Sequence, residues 1–192
     1  MTIMKRSDSA KWVKMGFDVP CLDIENEYNA VKDSLVIHRP EDGHKDWFAM
    51  TLYGVNAQST NSHWEYGRNS KKEITSIGEL CPKTMAFVSS LPYARIDDVR
   101  YLVIKAGGYI AEHVDVPEHN WLDPLNISIT YPKGSKFVHD GEEIPYAPGV
   151  PIVLNIHYPH SVENNSNEDR LHLLIHGKKK NEFWNYVEEL RL

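Results

Sequence analysis

The sequence predicts a mainly β fold with flanking helices, a β-sandwich or jelly roll. Three observations lead there. Beyond Leu91, short apolar runs follow one another: VRYLVIKA at 99–106, then YIAEHVD, LNISITY, KFVHD, PIVLNIHY and RLHLLIH. Turn residues separate them, among them Gly107-Gly108 and the segment DGEEIPYAPGVP at 140–151. Helical spacing of apolar residues occurs only outside this region. Short strands with turns at this interval favour a sandwich or barrel over a βαβ sheet. The expected jelly-roll core covers about residues 95–177, with helical support from 21–91 and 181–192, and the whole of 1–192 is read as one domain.

Taken in order, residues 1–20 read as irregular. From Cys21 to Leu35, Ile24, Tyr28, Val31 and Leu35 recur at helical spacing, so an amphipathic helix is expected. RPEDG at 39–43 breaks it. DWFAMTLYGV at 46–55 is rich in aromatic and strand-forming residues and reads as a strand. The polar stretch 56–72 reads as a loop. PKTMAFVSSL at 82–91 reads as a short helix, with proline near its start, where a missing N–H is harmless. The β region follows. The closing segment NEFWNYVEELRL places Phe183, Val187 and Leu190 near helical spacing, so a last helix packed on the sheet is expected.

Composition narrows the function classes. The formal net charge is −6, and Lys178-Lys179-Lys180 is the longest basic run. General affinity for nucleic-acid phosphates is therefore not expected. Apolar runs such as GVPIVLNI are too short to span a bilayer, and no apolar signal core follows the N-terminal basic residues. A cytoplasmic protein without membrane contacts is expected. The two cysteines, Cys21 and Cys81, form no CxxC pair and no disulfide framework.

Histidine is the outlier. Seven of ten histidines lie between positions 113 and 176. In AGGYIAEHVDVPEHNW, His113 and Asp115 stand two apart, and on a strand such residues point to one face. An imidazole and a carboxylate aimed at one place can hold a divalent metal. A third ligand must come from another strand; His157 and His160 are both candidates. Two histidines and one carboxylate leave up to three positions open, which suits non-heme Fe(II) binding a bidentate cosubstrate and O2. Arg170 opens the run RLHLLIH, where alternation puts Arg170, His172, Leu174 and His176 on one face and Leu171, Leu173 and Ile175 on the other. A buried arginine nearby would offer a two-pronged fork to a carboxylate, and an anionic cosubstrate such as 2-oxoglutarate fits that pair of sites.

The pattern His113-Val114-Asp115, then His160, then Arg170 resembles the HxD…H…R signature of Fe(II)/2-oxoglutarate-dependent oxygenases. The chain is most similar to the aspartyl/asparaginyl β-hydroxylase-like group, which includes free-proline hydroxylases. The matching text is VRYLVIKAGGYIAEHVD with HSVENNSNEDRLHLLIH, within about residues 95–177. The resemblance implies a double-stranded β-helix, a jelly roll of cupin-like form. It implies a dioxygenase that hydroxylates an aliphatic carbon of an amino acid, free or in a polypeptide, of the Asp, Asn or Pro type. It further implies His113, Asp115 and His160 as Fe(II) ligands and catalytic centre, with 2-oxoglutarate and O2 as cosubstrates and Arg170 on the distal carboxylate. Some vertebrate-type members lack the carboxylate ligand, which this chain keeps at Asp115. Members often carry Arg-x-His on the strand after the HxD; here the corresponding text is Asn126-Ile127-Ser128, which supplies no positive charge. Ser128 is the candidate there for holding the cosubstrate.

Among the other residues, His172 reads as a pocket residue, and His119 and His139 as surface or loop residues. Asn155 and Asn164 suit either a pocket or a turn. Trp47, Trp64 and Trp121 suit a core or a pocket floor. Competing functions are a cupin-like metal enzyme that does not use 2-oxoglutarate, a zinc hydrolase, and a non-catalytic jelly-roll binding module. A homodimer is possible through the aromatic C-terminal segment.

Overall fold

The computed structural model describes residues 10–42, 45–60, 70–115 and 123–192. Its strands in chain order are β1 (Trp12–Met15), β2 (Val36–Ile37), β3 (Trp47–Gly54), β4 (Glu73–Ile74), β5 (Tyr93–Ile104), β6 (Tyr109–His113) and β7 (Leu125–Ser128). They continue with β8 (Ser135–His139), β9 (Glu142–Glu143), β10 (Pro151–Leu154), β11 (His160–Asn164), β12 (Arg170–Lys179) and β13 (Val187–Arg191). Two α-helices, α1 (Cys21–Val31) and α2 (Pro82–Ser90), match the two helices expected before the β region.

Among the described residues, the larger sheet runs β13-β1-β10-β7-β12-β5-β3-β2, with β4 on β3; the smaller runs β6-β11-β8-β9. All strand pairs are antiparallel, as hairpins and Greek-key connections require. Alternation along the strands makes two cores. Leu171, Leu173 and Ile175 of β12 join Leu125 and Ile127 of β7 in the core under α1 and α2. Trp47, Ile104, Ile110, Phe137, Ile152 and Val162 fill the space between the sheets. Arg170, His172 and Asn126 alternate with Leu171, Leu173, Leu125 and Ile127, which face the helix-side core, so they point between the sheets.

Two turns set the smaller sheet. Gly107 has φ 74° in the β5–β6 connection, a conformation that only glycine adopts without strain. Asp140 and Gly141, at φ 49° and 75°, close the β8–β9 hairpin as an Asp-Gly pair favours.

Four expectations are corrected. The C-terminal segment is not an α-helix: Asn181–Tyr186 forms a 3-10 turn that buries Phe183, and Val187–Arg191 adds β13 to the edge of β1. Three apolar residues in twelve fit either period. The open edge of β1, with its unpaired N–H and C=O groups, decides for a strand. Residues 1–20 are not all irregular, since Trp12–Met15 is β1, paired with β10. The sheet core also exceeds 95–177: β5 starts at Tyr93, β12 ends at Lys179, and β1, β3 and β13 come from outside that span. The helix expected over 21–35 ends at Val31 and tightens into a 3-10 turn, Lys32–Ser34.

Candidate active site

β6 and β11 lie side by side, with His113 directly across from His160. Cross-strand partners point to the same face, so both imidazoles meet, with ring centroids 4.3 Å apart. Asp115 lies just past the end of β6. Its backbone N–H donates to the Ile156 carbonyl (3.1 Å), which turns the carboxylate back toward the pair. One ligand atom from each of His113, Asp115 and His160 lies within 4.8 Å of the others, the one such group of three among the described residues.

The ring nitrogens are sorted by their neighbours. His113 Nδ1 lies 2.9 Å from the Ala111 carbonyl, and His160 Nδ1 3.0 Å from the Tyr158 carbonyl. A carbonyl only accepts, so Nδ1 carries the proton and Nε2 presents a bare lone pair. Both Nε2 atoms face Asp115 Oδ2, at 3.9 and 3.6 Å. The other carboxylate oxygen, Oδ1, accepts from Arg39 Nη1 at 3.3 Å. Two imidazole lone pairs and one carboxylate oxygen therefore converge, a donor set that fits Fe(II).

Burial pushes the Asp115 carboxyl up, but His160, His113 and Arg39 together outweigh it and hold it at about 2. The carboxylate is thus ionised at any working pH. Burial lowers the His113 pKa, favouring the neutral, ligating form.

Arg170 opens β12 and is 4% exposed. Its guanidinium carbon lies 5.5 Å from the Tyr131 ring, 5.7 Å from Phe137 and 6.0 Å from Tyr146. No carboxylate among the described residues pairs with it: neighbouring Asp169 pairs with Lys105 instead (2.8 Å). Burial lowers its pKa to about 10, so it is still a cation at neutral pH. The Phe137 ring also stacks on His160, 6.1 Å away and tilted by 8°. One phenyl ring thus separates the guanidinium from the histidine pair.

Ser128 lies on β7 opposite His172, its hydroxyl donating to the Thr130 carbonyl (3.3 Å). His157 stays outside the group of three. His139 is corrected: it is no surface residue but 1% exposed, across β8 from His160, with Nε2 on the Asn155 carbonyl (2.9 Å). Asn164 serves the turn, its amide donating to the Ile104, Lys105 and Glu168 carbonyls. Asn155 likewise donates to the Ala10 carbonyl. Trp47 stands beside the site, 6.4 Å from the His113 ring, and also packs in the inter-sheet core. Trp64, Trp121 and His119 lie outside the described residues. Arg39 and Phe137 carried no local signal, because each reaches the site only through the fold.

The sequence matches the profile of the aspartyl/asparaginyl β-hydroxylases over residues 21–180. The chain belongs to this family. No curated protein matches it. Solved structures share the hydroxylase's fold. A Pseudomonas putida prolyl-4-hydroxylase has a TM-score of 0.55 at 11% identity, over 94% of this chain and 100% of that one. A Trichoplax adhaerens prolyl hydroxylase, in complex with a hypoxia-inducible-factor peptide fragment, has a TM-score of 0.54 at 9% identity, over 97% and 91%. A collagen prolyl hydroxylase from Paramecium bursaria Chlorella virus-1, in its 2-oxoglutarate complex, has 0.50 at 13%, over 88% and 96%. The expected hydroxylase family and double-stranded β-helix are borne out. No described helix is long and apolar enough to cross a membrane.

The buried histidines predict a pH dependence of stability. Burial lowers the pKa values of His113, His139 and His172 from 6.5. Folding therefore favours their neutral forms, while the unfolded chain takes up protons near pH 6.5. Their contribution is complete above 6.5 and is lost as pH falls through the lowered values. Urea denaturation of the metal-free protein at pH 7.5 and 5.5 is expected to give a lower midpoint at 5.5.

Proposed function

We propose that this Fe(II)- and 2-oxoglutarate-dependent hydroxylase builds its centre on His113, Asp115 and His160. Arg170 receives the distal carboxylate of 2-oxoglutarate, and O2 is the second cosubstrate. The substrate is an amino acid, free or within a polypeptide, of the Asp, Asn or Pro type, hydroxylated at an aliphatic carbon. The chain acts as one oxygenase domain. The observation that carries this is a buried arginine with no carboxylate partner among the described residues, one phenyl ring away from three converging ligand atoms. An isolated buried cation is strongly unfavourable, and an anionic ligand removes that penalty. A metal enzyme without an acidic cosubstrate has no use for it.

Bound Fe(II) would couple oxidative decarboxylation of 2-oxoglutarate, to succinate and CO2, with hydroxylation of the substrate carbon. The chain's own groups do the rest. The Nδ1–H bonds of His113 and His160 to backbone carbonyls fix the ring orientations. Arg39 donates to Oδ1 of Asp115, while Oδ2 faces the two imidazoles and would be the oxygen offered to a metal. Phe137, Tyr131 and Tyr146 exclude water from the guanidinium, strengthening its hold on an anion.

The test is anaerobic titration with Fe(II) and then 2-oxoglutarate, following the weak visible charge-transfer band of a chelated 2-oxo acid. A band is expected. Iron binding with no band would point to a metal enzyme that does not use 2-oxoglutarate; no iron binding would point to a binding module. Arg39→Ala is expected to weaken metal binding about tenfold while leaving the melting temperature nearly unchanged. Mn(II) titration by electron spin resonance, paired with a thermal melt, checks it.

A further inference from the structure

β5 carries a charged pair into the space between the sheets. Val99, Tyr101 and Val103 pack in the core under the helices, so Asp98, Arg100, Leu102 and Ile104 face the other way. Arg100 lies between Leu174 of β12 and Thr51 of β3. Asn164 sets its level relative to the metal ligands. That residue ends β11 and donates to the Ile104 and Lys105 carbonyls, both at 3.0 Å. Four residues back along each strand, about 13 Å, lead from Asn164 to His160 and from Ile104 to Arg100. Arg100 and His160 therefore stand at one level of the roll, on sheets about 10 Å apart.

The wall beside Arg100 is open. Leu102 and Leu174 face between the sheets, yet neither packs in either hydrophobic core, and Leu102 is part-exposed. Arg100 Nε donates to Asp98, and Nη1 to the Thr60 carbonyl. Among the described residues no acceptor meets Nη2. Asp98 is itself buried. The Thr60 carbonyl needs only a neutral donor, and a buried ion pair adds little over apolar residues of similar volume. Stability alone does not explain this pair.

We propose that Arg100 and Asp98 seat the head group of a free amino acid, its α-carboxylate on Arg100 Nη2 and its ammonium on Asp98. Its aliphatic side chain then lies along Leu102 and Leu174, toward His113, Asp115 and His160. Adjacent opposite charges complement a zwitterion at both ends. A lone anion, such as an aspartyl side chain within a polypeptide, is attracted by one and repelled by the other. A residue inside a polypeptide has neither charge on its backbone and leaves the pair unused.

The proposal rests on the metal and 2-oxoglutarate centre, and calorimetry separates the two. Protein is titrated with Mn(II) and 2-oxoglutarate, with which turnover is absent, and then with each of the twenty common amino acids. At least one with an aliphatic side chain is expected to bind. Its carboxamide, which lacks the carboxylate, and its N-acetyl form, which lacks the ammonium, are each expected to bind at least about tenfold more weakly, the loss of a hydrogen bond to a charged group. Arg100→Met is expected to weaken the free acid to the level of its carboxamide and to leave the affinity for 2-oxoglutarate unchanged. Asp98→Asn is expected to remove the preference for the free amine over the N-acetyl form. The wild-type comparisons decide the matter even where a variant fails to fold. Binding of none of the twenty, or of the carboxamide or N-acetyl form as tightly as the free acid, overturns the proposal. Weaker 2-oxoglutarate binding in Arg100→Met overturns it as well, by placing Arg100 on the cosubstrate. A wild type that takes up no 2-oxoglutarate overturns the underlying centre, and the proposal with it.

Discussion

Asp115→Ala is expected to lower metal affinity at least about a hundredfold and to remove hydroxylation, while the fold persists. The carboxylate lies between three basic groups: the two imidazoles at 3.9 and 3.6 Å, and Arg39 at 3.3 Å. Among the three ligand residues it is the one negative charge that offsets an incoming dication. Without it, the Arg39 guanidinium is left beside two neutral imidazoles, and a metal there meets uncompensated positive charge. Partners one shell out change metal affinity 10–100-fold, so a direct, charged ligand is expected to reach at least the upper end. Asp115→Asn separates charge from shape, since the amide keeps an oxygen but not the charge. It is expected to fall between wild type and alanine. Mn(II) titration reads the affinity and succinate formation reads the turnover. Unchanged metal affinity in the alanine variant would remove Asp115 from the ligand set.

The candidate site was legible where chemistry repeats at short range. His113 and Asp115 are two residues apart, and β12 alternates as written, with Arg170 and His172 between the sheets and Leu171, Leu173 and Ile175 beneath the helices. Both α-helices and the long β3 strand also followed from spacing and residue type. What local pattern could not carry was long-range pairing. β13 is a strand only because β1 offers an open edge, and β1 is a strand only because β10 lies beside it. Arg39 reaches Asp115 across 76 positions of sequence, and Phe137 lies under Arg170 because β8 pairs with β11. His139 misled for the same reason: a histidine beside Asp140-Gly141 has the sequence context of a turn, yet its own residue ends a buried strand.

Arg170→Met is expected to raise the stability of the ligand-free protein while nearly abolishing 2-oxoglutarate binding. The two effects have one cause. The guanidinium is taken out of water with no anion among the described residues to pair with, and the depression of its pKa to about 10 by burial records that unfavourable transfer. The rings of Tyr131, Phe137 and Tyr146 return part of it through cation–π attraction, about 0.5–2 kcal/mol per favourable contact. An apolar side chain of similar length has nothing to desolvate, and such replacements of buried charge are neutral or stabilising by about 1–4 kcal/mol. Binding responds oppositely, because a buried charged pair that loses one partner forfeits about 2–5 kcal/mol. The Kd for 2-oxoglutarate is thus expected to rise about a hundredfold or more. Arg170→Lys is no remedy: an ammonium keeps the charge but lacks the planar fork that meets both carboxylate oxygens. Urea denaturation without ligand, set beside calorimetry with Mn(II) and 2-oxoglutarate, measures both sides. Unchanged affinity would remove Arg170 from the cosubstrate site. A less stable methionine variant would mean that the three rings compensate the cation fully even before any carboxylate arrives.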